Sequence, residues 1–183
     1  GSAYAARGQM LPPYDSAATL ACLADEITAL EPTTVVLLGD SFHDRGAIPR
    51  MAATDRSRLD QMARPVADWI WLEGNHDRAT LDLSLSDPDQ ALPGRVVETL
   101  EIGALTLVHE PRTGDRPGEV AGHLHPCARV SAHRRTVRRS CFVTDGRRLI
   151  LPALGAYTGG LNVRDPAIAD LFGDRPLIAA LGR

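Results

Sequence analysis

The protein has 183 residues, which is enough for one domain with a sizeable core and too few for two domains of ordinary size. Its composition, 44% hydrophobic and 23% charged, is typical of a soluble globular protein, and no apolar run reaches the roughly 20 residues of a membrane span. The net charge of -3 gives no overall attraction to nucleic acid, and the N-terminal residues lack a signal-peptide pattern, so we expect a single cytoplasmic domain, 1–183, with no membrane association.

In the first half of the chain the predicted elements alternate between helix and strand. They are a helix capped by Asp15 or Ser16 and running to about Leu30, a strand at 33–39, a helix at 54–64 and a strand at 66–72. Pro32 ends the first helix because it cannot continue the hydrogen-bond ladder. The first strand, TTVVLLG, does not alternate between apolar and polar residues, which predicts a sheet covered on both faces.

Strands dominate the second half. A stretch rich in Asp and Pro, expected to be irregular, leads into strands at 95–102 and 105–109 that are joined by a turn at Gly103-Ala104. Short strands and turns such as Asp145-Gly146 are expected up to residue 151, followed by a short helix and a last strand at 176–181. This order of elements predicts an α/β sandwich rather than a purely parallel sheet.

Two polar motifs directly follow predicted strands, where α/β folds build their sites. Asp40 follows the first strand and can bridge two cations with its two carboxylate oxygens, although a turn or helix cap is an equal alternative. In the motif GNHD after the strand WIWL, Gly74 permits a sharp turn and the Asn75 amide oxygen is a neutral metal ligand. His76 can donate a proton, and Asp77 can hold its tautomer. A plain turn is the alternative for this motif, but two such motifs at strand ends favour a site.

Three further histidines follow later strands. His123 and His125 lie two residues apart, and in an extended chain residues at this spacing face the same side, so both rings reach one site. Such a pair favours metal binding over a structural role. His109, at the end of LTLVHE, is a weaker candidate when read alone.

Taken in order, the motifs GD, GNHD, H and GHxH resemble the signature of the calcineurin-like metallophosphoesterases over nearly the whole chain. More narrowly, GDSFHDRG, WLEGNHD, HEP, AGHLHP and CFVTDGRRLILPALGAYTGGLNV resemble the ligase-associated DNA damage response endonuclease family (PdeM-type). The resemblance implies an α/β sandwich of two mixed β-sheets flanked by helices. It also implies a phosphoesterase with DNA as its substrate, and a link to a DNA ligase and a helicase.

The same resemblance implies a set of metal ligands. Asp40 matches the aspartate that bridges two metal ions, and His125 matches a ligand of the first ion. Asn75, His109 and His123 match the remaining ligands of the second ion. The superfamily opens with a D-x-H segment that does not precede Gly39 here, so we expect that the chain is N-terminally truncated, that its first strand is missing and that hydrolysis is impaired at the first metal site.

For catalysis, the resemblance implies that His76 contacts the scissile phosphate and helps the leaving group depart, with Asp77 as its orienting partner. His43 stands where the superfamily often has a second aspartate, and it is either a phosphate-facing group or a capping side chain. Arg45 and Tyr157 are further candidates for contacts with the substrate.

We therefore expect a hydrolase in which two divalent ions activate a hydroxide that attacks phosphorus in line. Mn is the expected metal, with Fe, Mg or Zn as alternatives, because the ligands are oxygen and nitrogen atoms without thiolate. Two other classes stay open. One is a small-molecule (cyclic nucleotide) phosphodiesterase or phosphomonoesterase, and the other is a non-catalytic docking module for a ligase or helicase.

The basic residues are all arginines, and many of them lie between residues 129 and 148. This stretch has two interpretations. It is either a surface that follows the phosphates of DNA or a pair of solvated hairpin strands with arginines on the outer face. The sequence alone favours the second.

Overall fold

A computed structural model of the chain describes residues 15–42, 46–76, 78–132, 135–155, 158–173 and 175–182. The chain divides into two compact units, each with its own hydrophobic cluster. The first unit comprises Gly1–Glu98 and Leu154–Tyr157, and the second comprises Thr99–Ala153 and Thr158–Arg183. Among the described residues, no helix is long and apolar enough to cross a membrane. The single domain expected from the sequence stays a prediction.

The first unit contains four α-helices and three strands in its described part. The helices are α1 (Asp15–Leu30), α2 (Ala47–Arg50), α3 (Ala53–Ala63) and α4 (Arg78–Ser86), with a 3-10 turn at Pro88–Gln90, and the strands are β1 (Thr34–Leu37), β2 (Asp68–Leu72) and β3 (Arg95–Val97). The strands form one parallel sheet in the order β1-β2-β3. The predicted helices and strands of residues 15–72 are thus confirmed, with small shifts at their ends.

The core of the first unit forms around β2. Its residues Trp69 to Leu72 are all buried, which explains why the strand is apolar without alternation. Phe42 stacks on Trp71 with ring centroids 5.5 Å apart, and the Trp71 indole N–H donates to the Pro93 carbonyl at 2.7 Å. The neighbouring strand β1 is only half-buried.

Two expectations for residues 73–102 are wrong. The stretch expected to be irregular contains α4, whose sequence RATLDLSLS places leucine at every second position and so hides the helical period. The expected strand 95–102 is two strands, because β3 ends at Val97 in the sheet of the first unit and β4 begins at Thr99 in the second unit. No glycine or proline marks this change of sheet at Glu98.

The second unit is mostly β-structure. Its elements are β4 (Thr99–Ile102), β5 (Leu105–Val108), β6 (Glu119–Ala121), β7 (Cys127–Ala132), β8 (Arg135–Thr144), β9 (Leu149–Ile150), α5 (Pro166–Ala169) and β10 (Leu177–Ala180). The sheet is mixed: its order is β10-β8-β9-β6-β5-β4, β7 pairs with the first half of β8, and β5, β6 and β9 run parallel. The turns at Gly103 and Gly146 are confirmed, as is the α/β class with two sheets accompanied by helices.

The arginines between residues 129 and 148 were expected to face outward, but Arg148 is buried, with only 3% of its surface exposed. The parallel pairing of β6 with β9 brings it beside Glu119, and the two side chains form a buried ion pair at 3.0 Å. The guanidinium also donates to the carbonyls of Leu171, Arg112 and Gly114. The expectation was wrong here because charge in a sequence does not reveal a carboxylate on a neighbouring strand.

Candidate metal centre

The two polar motifs of the first unit meet at one edge of its sheet. Asp40 follows β1 and His76 follows β2, and parallel neighbouring strands bring their carboxyl ends to the same edge. The backbone N–H of His76 donates to the Asp40 carboxylate at 2.9 Å. The two motifs that the sequence analysis identified at separate strand ends therefore lie beside each other.

Gly74 makes this close approach possible. A β-carbon at this position would collide with both the backbone nitrogen and the carboxylate of Asp40. Gly74 itself is not in the left-handed region, so it is required for its missing side chain and not for the sharp turn expected from the sequence. The motif thus holds the aspartate carboxylate in place by direct packing.

Asn75 and His76 have exposed side chains, so a substrate can reach both. Four other predicted site residues, Asp77, His43, Arg45 and Tyr157, lie outside the described residues. Their roles stay predictions.

The second unit brings two predicted ligands together. His109 follows β5 and His123 follows β6, its parallel neighbour, and the Gly122 N–H donates to the His109 carbonyl at 3.0 Å. Nδ1 of His123 and Nε2 of His109 are 3.1 Å apart, and the rings meet edge to face. His109 is buried and His123 is half-buried, so solvent competes little for these nitrogens.

This geometry fits a shared metal ion. Two nitrogens bound to one ion at about 2.1 Å are about 3.0 to 3.4 Å apart for octahedral or tetrahedral angles. The observed 3.1 Å lies within that range. In the absence of an ion the same distance suits a hydrogen bond from one neutral ring to the other. Both histidines are thus able to hold a metal ion.

Three of the predicted ligands have a left-handed backbone. The φ angles are 52° for Asp40, 61° for His123 and 47° for His125. Asp and His are enriched among the few non-glycine residues that adopt this conformation, yet each instance costs about 1 to 3 kcal/mol. Such strain persists where the surrounding structure imposes it, and it often marks a functional site.

The same angles overturn one premise of the sequence analysis. Residues 123 to 125 are not extended, since the chain turns tightly there and the Leu124 N–H donates to the Gly122 carbonyl at 2.7 Å. His123 and His125 are therefore not placed on one side by strand alternation, because the left-handed residues break the alternation that a strand would impose.

Gly160 supports the backbone of His125. A β-carbon on Gly160 would collide with the His125 carbonyl and approach the Cys127 sulfur to 2.8 Å. The Arg138 guanidinium donates to the Gly160 carbonyl, and the Cys127 N–H donates to the Leu161 carbonyl at 2.8 Å. This role of Gly160 was not predicted from the sequence, where the Gly-Gly pair after Tyr157 and Thr158 was the available signal.

The chain is similar to a protein of known structure. No family model matches the chain, and no curated protein matches it. A crystal structure of the Pseudomonas putida nuclease MPE is similar, with a TM-score of 0.67 and 27% sequence identity over 95% of this chain and 82% of that chain. The chain therefore has a fold that is similar to that of a nuclease.

Proposed function

We propose that the protein is a metal-dependent hydrolase that cleaves phosphodiester bonds in nucleic acid. The observation that carries the proposal is the His109–His123 pair, whose nitrogens are spaced for one metal ion at the ends of two parallel strands. The similarity to a nuclease supports nucleic acid as the substrate. The finer assignment is a DNA endonuclease of DNA repair, cytoplasmic and with ligase and helicase partners, and it rests on the resemblance of the sequence motifs.

We infer that the ligands are Asp40, Asn75, His109, His123 and His125. The order of their motifs in the sequence supports this set, and so does the left-handed backbone of Asp40, His123 and His125. Carboxylate, amide and imidazole donors suit two divalent ions, Mn ahead of Fe, Mg or Zn. Bound ions supply the Lewis acidity that activates water and offsets the charge of the phosphoryl oxygens.

His76 is the proposed proton donor to the departing oxygen. Its backbone N–H donates a hydrogen bond to the Asp40 carboxylate, which fixes the position of the backbone. Its side chain is exposed to solvent. An imidazole suits this role because histidine is the side chain that most often acts as a general acid or base in enzymes. Asp77 remains the proposed partner that orients the ring.

Hydrolysis and metal content together test the proposal. We expect purified protein to bind divalent metal and to cleave both DNA and bis-p-nitrophenyl phosphate slowly when Mn is supplied, because the first ion has two proposed ligands in this chain, Asp40 and His125. His123→Ala removes one of the paired nitrogens and should lower both turnover and metal content, with turnover falling more than about a hundredfold. Gln61→Ala, on an exposed face of α3, is the control and should change neither.

Other outcomes identify the competing functions. Turnover of the small ester or of cyclic nucleotides without cleavage of DNA would favour a small-molecule phosphodiesterase or phosphomonoesterase. Absence of both metal and turnover would sink the enzyme proposal and favour a non-catalytic docking module.

A further inference from the structure

One face of the β7–β8 hairpin carries two arginines and two hydroxyls. Arg129 lies directly opposite Arg138 on the neighbouring strand. Two residues further along, Ser131 lies directly opposite Thr136, and their hydroxyl oxygens are 2.9 Å apart. Residues two apart on a strand point to the same side, so these four side chains form one surface. All four are exposed. We call them the arginine face.

The charge of this face is not balanced by acids. No Asp or Glu occurs between residues 120 and 144. Among the described residues, Arg129 has no carboxylate partner, and the Arg138 guanidinium donates to the Gly160 carbonyl. Like charges directly opposite each other destabilise a strand pair, so the hairpin carries an electrostatic cost that an external anion would relieve.

Several other arginines of the chain already have a carboxylate partner. Arg95 pairs with Asp68 at 2.9 Å, Arg147 with Asp115 at 2.8 Å, and Arg148 with Glu119. Arg147 belongs to the same arginine-rich stretch as the face but lies in the β8–β9 turn. The charge of Arg147 is thus already paired, while Arg129 has no carboxylate partner among the described residues.

The arginine face is also coupled to a proposed metal ligand within the second unit. Strand β7 begins two residues after His125, and Arg138 reaches back to the carbonyl of Gly160, whose backbone packs against His125. A polymer bound to the hairpin would therefore lie on an element that is directly connected to the loop of His125.

We propose that the arginine face binds the phosphodiester backbone of the nucleic acid substrate, an inference that rests on the proposed function. Guanidinium groups bind phosphate oxygens in a bidentate manner, and the two hydroxyls add neutral donors beside them. Contacts of this kind position a strand without reading its sequence. The arginine face therefore binds and positions the nucleic acid strand without preference for particular bases.

The salt dependence of binding tests the proposal. Binding of a labelled oligodeoxynucleotide is measured by fluorescence anisotropy from about 50 to 200 mM salt, with EDTA present so that no cleavage occurs. Arg129→Gln should reduce the slope of log affinity against log salt by about 0.7 for a single strand and 0.9 for a duplex. Arg147→Gln is the matched control and should leave the slope unchanged, while Arg129→Lys should restore most of it.

A second readout connects the face to turnover. In Arg129→Gln, cleavage of DNA at subsaturating concentration should fall at least about fivefold relative to hydrolysis of bis-p-nitrophenyl phosphate, because the small ester has no polymer backbone for the hairpin to bind. An unchanged slope, an equal loss in Arg147→Gln or a wild-type protein that does not bind the oligonucleotide would overturn the proposal. Binding that depends on Arg129 in a protein without any hydrolysis would instead refute the proposed function alone.

Discussion

At the scale of single residues, two glycines are required by what lies against them. Gly74 faces Asp40 and Gly160 faces His125, and in both cases a β-carbon would collide with the backbone of a proposed metal ligand. Neither glycine has a left-handed φ, so conformational freedom is not the reason for its presence. Each one instead sets the position of a ligand through close packing.

This packing predicts different effects of alanine at two adjacent positions. Gly160→Ala should displace the His125 carbonyl and weaken binding of Mn by about tenfold or more, as expected when the support of a ligand is disturbed. Gly159→Ala should leave affinity unchanged, because among the described residues nothing apart from its chain neighbours lies within 4 Å of an added β-carbon. Isothermal titration of both variants with Mn measures the difference, and circular dichroism checks that they are folded. Equal affinities would mean that the Gly160 contact does not position a ligand.

At the scale of elements, a buried ion pair joins β6 to β9. Glu119 and Arg148 are both only 3% exposed, and removal of one partner leaves the other charge buried without compensation. Glu119→Gln should therefore lower the free energy of unfolding by about 3 to 5 kcal/mol, as measured by urea denaturation. The double substitution Glu119→Leu with Arg148→Met removes both charges and should cost less than Glu119→Gln alone. A larger loss in the double variant would show that the carbonyl contacts of Arg148 dominate.

The elements also show which features could be predicted from the sequence. The strands that precede Asp40, Asn75 and His109 were predicted because each is a short apolar run, which is a local signal in the sequence. Helix α4 was not, since a leucine at every second position imitates a strand and only packing around Leu81 selects the helix. Burial of Arg148 depends on a partner that is distant in sequence, and the left-handed angles at Asp40, His123 and His125 depend on their surroundings.

At the scale of the whole molecule, the chain has two hydrophobic clusters, one in each compact unit. Leu81 belongs to the first cluster and Ile168 to the second, and each is almost completely buried. Truncation of either side chain to alanine should cost about 2 to 5 kcal/mol. Because each cluster consists of residues of one unit, each substitution should destabilise its own unit before it destabilises the other.

Hydrogen exchange distinguishes local from global loss. Leu81→Ala should speed the exchange of amides in β1 and β2 more than in β8, and Ile168→Ala should do the reverse. Mass spectrometry of peptides from both units measures these rates. Uniform acceleration in both variants would show that the chain unfolds as one cooperative block.

The left-handed residues of the candidate site have a consequence for how the protein responds to selection. Glycine adopts such angles without the steric penalty that Asp40, His123 and His125 incur, so substitution by glycine relieves strain at the positions proposed to bind metal. A substitution by glycine at these positions would therefore raise the stability of the fold and remove a proposed metal ligand. A laboratory evolution that rewarded heat resistance alone would drift toward glycine there and lose the metal. One that rewarded turnover would keep the strained residues and recover stability elsewhere in the chain.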